Sequence, residues 1–337
     1  MIKRTMLTAS IIAAMGIAAA TNGANAAGMT IKIGTFVPAK SVGVSKVIKP
    51  WMEAVSKDVG AELDLRGYWG GSLGRSPFKQ YELVKNGVAD ITWVLPGYTA
   101  GQFPQLHVFE LPFMEKTGHE SSVAAQRIVD AGLSDGFKDT HPIGMWTSAA
   151  SNVFSRVPIK SLYDLKNRKV RSVGSVHARW VKNFGATPQT MASTKMNEAL
   201  NRGVIDGVIQ GWTGMRTFKS MSLVDYVHEV SVGTIPFMLL MNKKTWNKLS
   251  GKAKAAFNKH GGMTIAKRGG SAYDVITAGI RKKQMAKGRI KFVEATPALM
   301  KRYKRDSEAV HQWWIKKTKN GQKVFDLYKK TLAELRG

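Results

Sequence analysis

Arg168-Lys-Val-Arg171-Ser-Val-Gly174-Ser175 opens the segment that decides the fold, and Gly203-Val-Ile-Asp206-Gly-Val-Ile-Gln210-Gly-Trp212 closes it. The first run reads as a strand that ends in a cation. Gly174 turns the chain, and Ser175 stands where an N-cap belongs for a helix over 176–184. Gly185 ends that helix, and a second helix, turn and strand follow. A strand that feeds a helix start leaves backbone N–H groups unpaired, and the helix dipole adds positive potential there. Arg171, with its rigid two-pronged donor, sits at that strand end and suits a carboxylate. These residues point to a small organic anion held at Arg171.

Upstream, 30–37 alternates as a strand, 44–59 carries Val47, Trp51, Ala54 and Val55 on one helical face, and 61–68 returns as a strand. Gly70-Gly71-Ser72-Leu73-Gly74 opens a helix over 77–86, and 88–95 is the next strand. Such β–α–β–α alternation predicts a mostly parallel sheet covered by helices. Gly87-Val-Ala-Asp90 and Gly203-Val-Ile-Asp206 each follow a helix and precede a strand, 116 positions apart. The repeat predicts two lobes of similar construction. Asp90 and Asp206 read as caps of tight helix–Gly–strand turns rather than as catalytic groups.

Between the copies, 122–131 is helical, 142–147 extended, and Glu110-Leu-Pro112-Phe113 reads as a rigid connection. Beyond Trp212, a helix over 214–221 and a strand over 226–230 precede a buried strand over 235–242 that crosses back to the first lobe. The remainder is helical apart from a strand at 290–294. Gly261, Gly262, Gly269 and Gly270 interrupt its first part, and amphipathic helices over 300–314 and 323–335 lie on the outside.

Composition narrows the class. The chain has 337 residues, enough for two cores, and 44% hydrophobic residues. Lys3 and Arg4, an apolar stretch over 6–20 and Ala24-Asn-Ala26 read as a signal peptide over 1–26. No later run approaches about 18 apolar residues, so the mature chain is expected to be soluble, in the periplasm. With no cysteine, neither disulfides nor thiolate metal sites are available. The seven histidines show no metal-ligand spacing, so no metal or cofactor is expected. The net charge is +28, and residues 243–337 carry 25 Lys and Arg against 6 Asp and Glu. Solvated helix faces explain most of this. An acidic partner or anionic membrane surface is the sharper reading, and no nucleic-acid motif is visible.

In order and spacing, several pieces together resemble the solute-binding proteins of tripartite ATP-independent periplasmic (TRAP) transporters, of the dicarboxylate-binding type. They are Gly70 to Gly74; Asn86 to Asp90; Leu111-Pro112-Phe113; Pro158-Ile159 with Leu162-Tyr-Asp164-Leu165 through Arg171; Phe184-Gly185-Ala186-Thr-Pro188; Ala199-Leu200 through Gly207; and Met241-Asn242 through Trp246. The resemblance implies an α/β, two-lobed periplasmic binding protein, type II-like, its mixed, mostly parallel sheets joined by crossing strands and a long helix. Lobe I would take 27–150 and 236–285, and lobe II 151–235 and 286–337. It further implies a ligand in the inter-lobe cleft, hinge closure, and delivery to a TRAP membrane permease by a monomer that is not an enzyme. A ligand-presenting sensor for a receptor is the alternative.

Within that resemblance, Arg171 matches the arginine that pairs with the ligand carboxylate, and Gln210 a contact position that is often asparagine. Trp146 and Trp212 match aromatic positions of one subgroup, and Trp146 replaces a second cleft arginine of sialate-type members. Arg75 stands where many members carry an acid, and Phe36 and Ser193 align with cleft positions. Trp93, Trp146 and Trp212 also end or follow predicted strands, where open α/β sheets form their crevice. They suggest an apolar wall and an aromatic or hydrophobic acid. No nucleophile elbow or triad is present.

Overall fold

A computed structural model describes residues 28–99 and 101–337; the leader read over 1–26 lies outside them. The strands are β1 (Met29–Gly34), β2 (Leu63–Tyr68), β3 (Ile91–Val94), β4 (Thr140–Thr147), β5 (Asn152–Ser155), β6 (Lys169–Ser172), β7 (Thr187–Thr190), β8 (Gly207–Gln210), β9 (Tyr226–His228), β10 (Pro236–Asn242) and β11 (Lys291–Val293). The helices are α1 (Lys49–Val59), α2 (Gln80–Lys85), α3 (Gly118–Asp130), α4 (Ser175–Asn183), α5 (Met196–Asn201), α6 (Trp212–Thr217), α7 (Lys243–Lys248), α8 (Gly251–His260), α9 (Gly262–Lys287), α10 (Pro297–Lys317) and α11 (Gly321–Arg336).

Two sheets result, ordered β2-β1-β3-β10-β4 and β11-β9-β5-β8-β6-β7. Both are mixed. β10 runs antiparallel to β3 and β4, and β5 runs antiparallel to β8 and β9, while the other pairings are parallel. Each antiparallel strand arrives directly from the opposite lobe. It needs no crossover helix, so nothing forces it parallel to its neighbours. Strands β5 and β7 were not anticipated: both are only four residues long, and Thr187-Pro-Gln-Thr190 carries a proline at a sheet edge.

The two Gly-x-x-Asp copies build the same joint. Gly87 and Gly203 have φ 72° and 67°, the left-handed region glycine tolerates. Asp90 N–H then donates to Lys32 O (2.9 Å), and Lys32 N–H donates to Asp90 Oδ2 (2.8 Å). Asp206 N–H donates to Lys169 O (2.7 Å), and Lys169 N–H to Asp206 Oδ2 (2.9 Å). Each carboxylate therefore pins its turn to a neighbouring parallel strand.

Three segments cross between the sheets and bond to one another. Phe113 N–H donates to Ser231 O (3.0 Å), Thr234 N–H to Phe109 O (2.7 Å), Ser148 N–H to Ile235 O (2.9 Å) and Val232 N–H to Ser151 O (2.9 Å). The 26-residue α9, roughly 39 Å long, lies across β4 and α3 and reaches α6. Gly269 and Gly270 lie inside it and do not interrupt it, contrary to the sequence reading. A Cβ on Gly269 would come 2.5 Å from Trp146 Cβ, and one on Gly270 2.5 Å from His119 Cα. Their role is close helix approach, which period and propensity do not reveal. Gly261 and Gly262 do mark the break before it. Asp274 of α9 accepts from Gly118 N–H (2.7 Å) and His119 N–H (2.9 Å) and so caps α3.

At the far end α10 packs on α4, where Trp180 Nε1–H donates to Ser307 Oγ (2.9 Å), while α11 packs on α3. Among the described residues no helix is long and apolar enough to cross a membrane.

Candidate functional site

A cavity of about 60 Å3 lies where the ends of β3 and β8 face each other. Phe36, Trp93, Tyr98 and Phe237 form most of its apolar wall, with Tyr273 from α9 and Phe218 beyond α6. The rings touch in series: Phe36 to Trp93 at 6.2 Å, Trp93 to Phe237 at 5.0 Å and Phe237 to Tyr273 at 5.5 Å between centroids. Gly43 makes room for this wall, since a Cβ there would sit 2.3 Å from the Trp93 ring. Trp93 Nε1 and Ser41 Oγ, on residues that border the cavity, have no hydrogen-bond partner among the described residues.

The polar end is built around Arg171, which is fully buried on β6. Its Nε–H donates to Met191 O (3.0 Å), and Nη1–H to Ile209 O (3.0 Å). Nη2–H donates to Tyr98 Oη (2.9 Å) and to Ser193 Oγ (3.1 Å). Ser193 N–H also donates to Tyr98 Oη (2.9 Å), and the two hydroxyls lie 2.9 Å apart. Gln210 Nε2–H donates to Ser193 Oγ (3.1 Å), and Gly211 N–H fixes the amide by donating to Oε1 (3.1 Å).

Counting hydrogens decides what this cluster lacks. Each hydroxyl oxygen accepts two bonds. The two nitrogen donors on Tyr98 Oη and the two on Ser193 Oγ fill both, yet the hydroxyls bring two hydrogens of their own. One Arg171 Nη1 hydrogen is also left over. The cluster is thus rich in donors, an arrangement that suits an anion.

Phe36, Trp93, Ser193 and Gln210 border this cavity, with Arg171 behind Tyr98 and Ser193. Three other candidates lie elsewhere. Trp146 is fully buried behind the wall, 5.4 Å from Trp93 and 5.7 Å from Phe237 between centroids. Trp212 begins α6 and turns to the other side of β8, against Phe154 (4.8 Å) and Phe292 (5.6 Å), with Nε1–H donating to Glu229 Oε1 (3.2 Å). Arg75 is exposed on its loop and does not border the cavity. Tyr98, Phe237 and Tyr273 are the residues the sequence reading missed. Tyr98 stands just beyond β3, so the strand-end rule applied to Trp93 would also have reached it.

The entry to α4 also differs. Gly174 is the N-cap residue, Ser175 makes no capping bond, and the adjacent anion is the protein's own Glu110. A Cβ on Gly174 would come 3.5 Å from Glu110 Oε2, and one on Gly97 2.9 Å from Oε1. Glu110 is fully buried, with Oε1 3.1 Å from His107 Nδ1. Burial alone would raise its carboxyl, but His107, then His177 and Arg171, outweigh that and hold it below its ordinary value. Among the described residues no group of three or more His, Cys, Asp or Glu has the arrangement to hold a metal ion.

Residues 33–318 match the bacterial extracellular solute-binding proteins of family 7. This chain belongs to that family. Its relatives and structural neighbours are transport receptors, not enzymes, and handing ligand to a TRAP permease is the family role. A marine metagenome TRAP solute-binding protein specific for aromatic acids, solved with 3-hydroxybenzoate, is 29% identical. It superposes with a TM-score of 0.85, covering 91% of this chain and 98% of its own. A TRAP solute-binding protein from Rhodoferax ferrireducens with copurified benzoate is 28% identical, with a TM-score of 0.84 and coverage of 91% and 98%. The outer membrane transporter protein TsaT of Comamonas testosteroni is 25% identical over 343 residues, 98% of each chain. The two-lobed α/β architecture of this solute-binding protein is thus the family's own.

Proposed function

We propose that this solute-binding protein takes a small aromatic monocarboxylic acid, with the ring against Phe36, Trp93 and Phe237 and the carboxylate at Arg171, Ser193 and Gln210. The observation that carries this reading is the donor excess at one end of an otherwise aromatic cavity. The two neighbours near 29% identity, solved with 3-hydroxybenzoate and benzoate, support the same class. The carboxylate joins or replaces the Tyr98 and Ser193 hydroxyls on the Arg171 fork. At about 60 Å3 the cavity is tighter than the roughly 150 Å3 apolar void that admits benzene. A ring therefore enters as the lobes part. Taking the lobes as 27–150 with 236–285 and 151–235 with 286–337, the crossing segments and α9 form the hinge, and α11 spans to α3. The protein works in the periplasm as a monomer and binds no nucleic acid.

Thermal shift and calorimetry with benzoate and succinate test this on wild type, Arg171→Ala and Arg171→Lys. A bidentate charge-assisted contact is worth about 1.5–3 kcal/mol, so Kd should weaken roughly 10- to 100-fold in both variants. Lysine retains charge but not the fork. A full benzoate response in Arg171→Ala sinks the anchor.

A further inference from the structure

Beyond the inner cavity, and sharing Ser41 and Thr217 with it, lies an open trough of about 450 Å3. Lys40 and Lys46 line it from the segment after β1, and Arg216 and Lys219 from the end of α6 and the turn after it. Among the described residues no carboxylate lines the trough, the inner cavity or the adjoining groove, which adds Lys283 and Lys287 from α9. None of these six cations forms an ion pair among the described residues, although fourteen pairs occur elsewhere. Asp274 of α9 is bound to the start of α3, and Glu229 pairs with Arg281 at 2.6 Å. Lys219 has φ 58°, a left-handed conformation that favours glycine or asparagine, and so is held at the rim against its own preference.

We propose that this trough is an outer capture site for carboxylates, in which cations from both lobes draw the anion in and pass it through the Ser41–Thr217 neck toward Ser193 and Arg171. The proposal rests on the carboxylate reading above. Like charges focused in a cleft raise the association rate and lose that effect as salt screens them. The inner donors, by contrast, set how long the ligand stays.

Stopped-flow tryptophan fluorescence with benzoate, between about 20 and 300 mM NaCl, separates the two roles. Wild-type kon should fall about tenfold as salt rises across this range. In Lys40→Glu/Lys219→Glu the low-salt kon should drop about tenfold, with koff changed less than about twofold. Lys40→Gln/Lys219→Gln should fall between the two, and all these side chains are exposed, so folding is monitored by unchanged circular dichroism. A kon indifferent to both salt and charge reversal overturns the capture site while leaving Arg171 in place. So does an effect confined to koff, which would put the cations in the final complex. If wild type shows no benzoate binding by calorimetry, the carboxylate reading falls, and this proposal falls with it.

Discussion

Glu115 shows how strongly a single residue here depends on its surroundings. It is buried, accepts from Ser231 Oγ–H (3.0 Å) and from Tyr328 Oη–H (3.1 Å), and so ties the crossing segments to α11. Burial is the main cause of its carboxyl being pushed up to about 7. A carboxyl raised this way favours the folded state most when both states are protonated, below about 4.5. That contribution is lost as pH climbs through about 7, because the unfolded chain ionises first. The loss is about 3 kcal/mol at most. Chemical denaturation of wild type between pH 4.5 and 8 should show this decline, and Glu115→Gln should flatten it. An identical slope in the variant would mean that another group governs the dependence.

Among the elements, α9 depends most on what it touches. Gly269→Ala drives a methyl into Trp146 at 2.5 Å and should cost about 1–3 kcal/mol, read as a lowered denaturation midpoint with an unchanged m-value. Because Trp146 backs Trp93 and Phe237, benzoate affinity should fall as well. Gly279→Ala, on the same helix with open space around it, should be neutral or stabilising by propensity. This contrast also explains what was legible in the sequence. The Gly87–Asp90 and Gly203–Asp206 joints could be read because their cause is local: a left-handed glycine, then a carboxylate over the turn. β6 was legible too, because Gly174 marks its end locally. Gly269 and Gly270 look like helix breaks until the facing strand is known. Trp212 could not be oriented, because the chain turns into α6 right after Gly211 and so leaves the face that strand alternation from Gln210 would suggest. Arg75 occupies a matching position in a loop, and position alone does not carry a side chain into a cleft.

Across the whole molecule, one hydroxyl links the two sheets. Tyr98 reaches from the turn after β3 to Arg171 and Ser193 in the other half, and it accepts two bonds there. Tyr98→Phe leaves those donors without an acceptor in the closed arrangement. Small-angle scattering should then give a larger radius of gyration for the variant, and added benzoate should restore the wild-type value. A variant as closed as wild type without benzoate would show that the crossing segments and α9 hold the lobes by themselves. The sheet order has a different consequence. In the first sheet β10 lies between β3 and β4, and it is made nearly ninety residues after the end of β4; in the second, β5 lies between β8 and β9 and is made before both. The first sheet is therefore not built from one contiguous stretch of chain. During synthesis the edge strand β4 lacks its sheet partner until the chain has passed Asn242, so any exchange of lobes between relatives has to carry that late strand along with it.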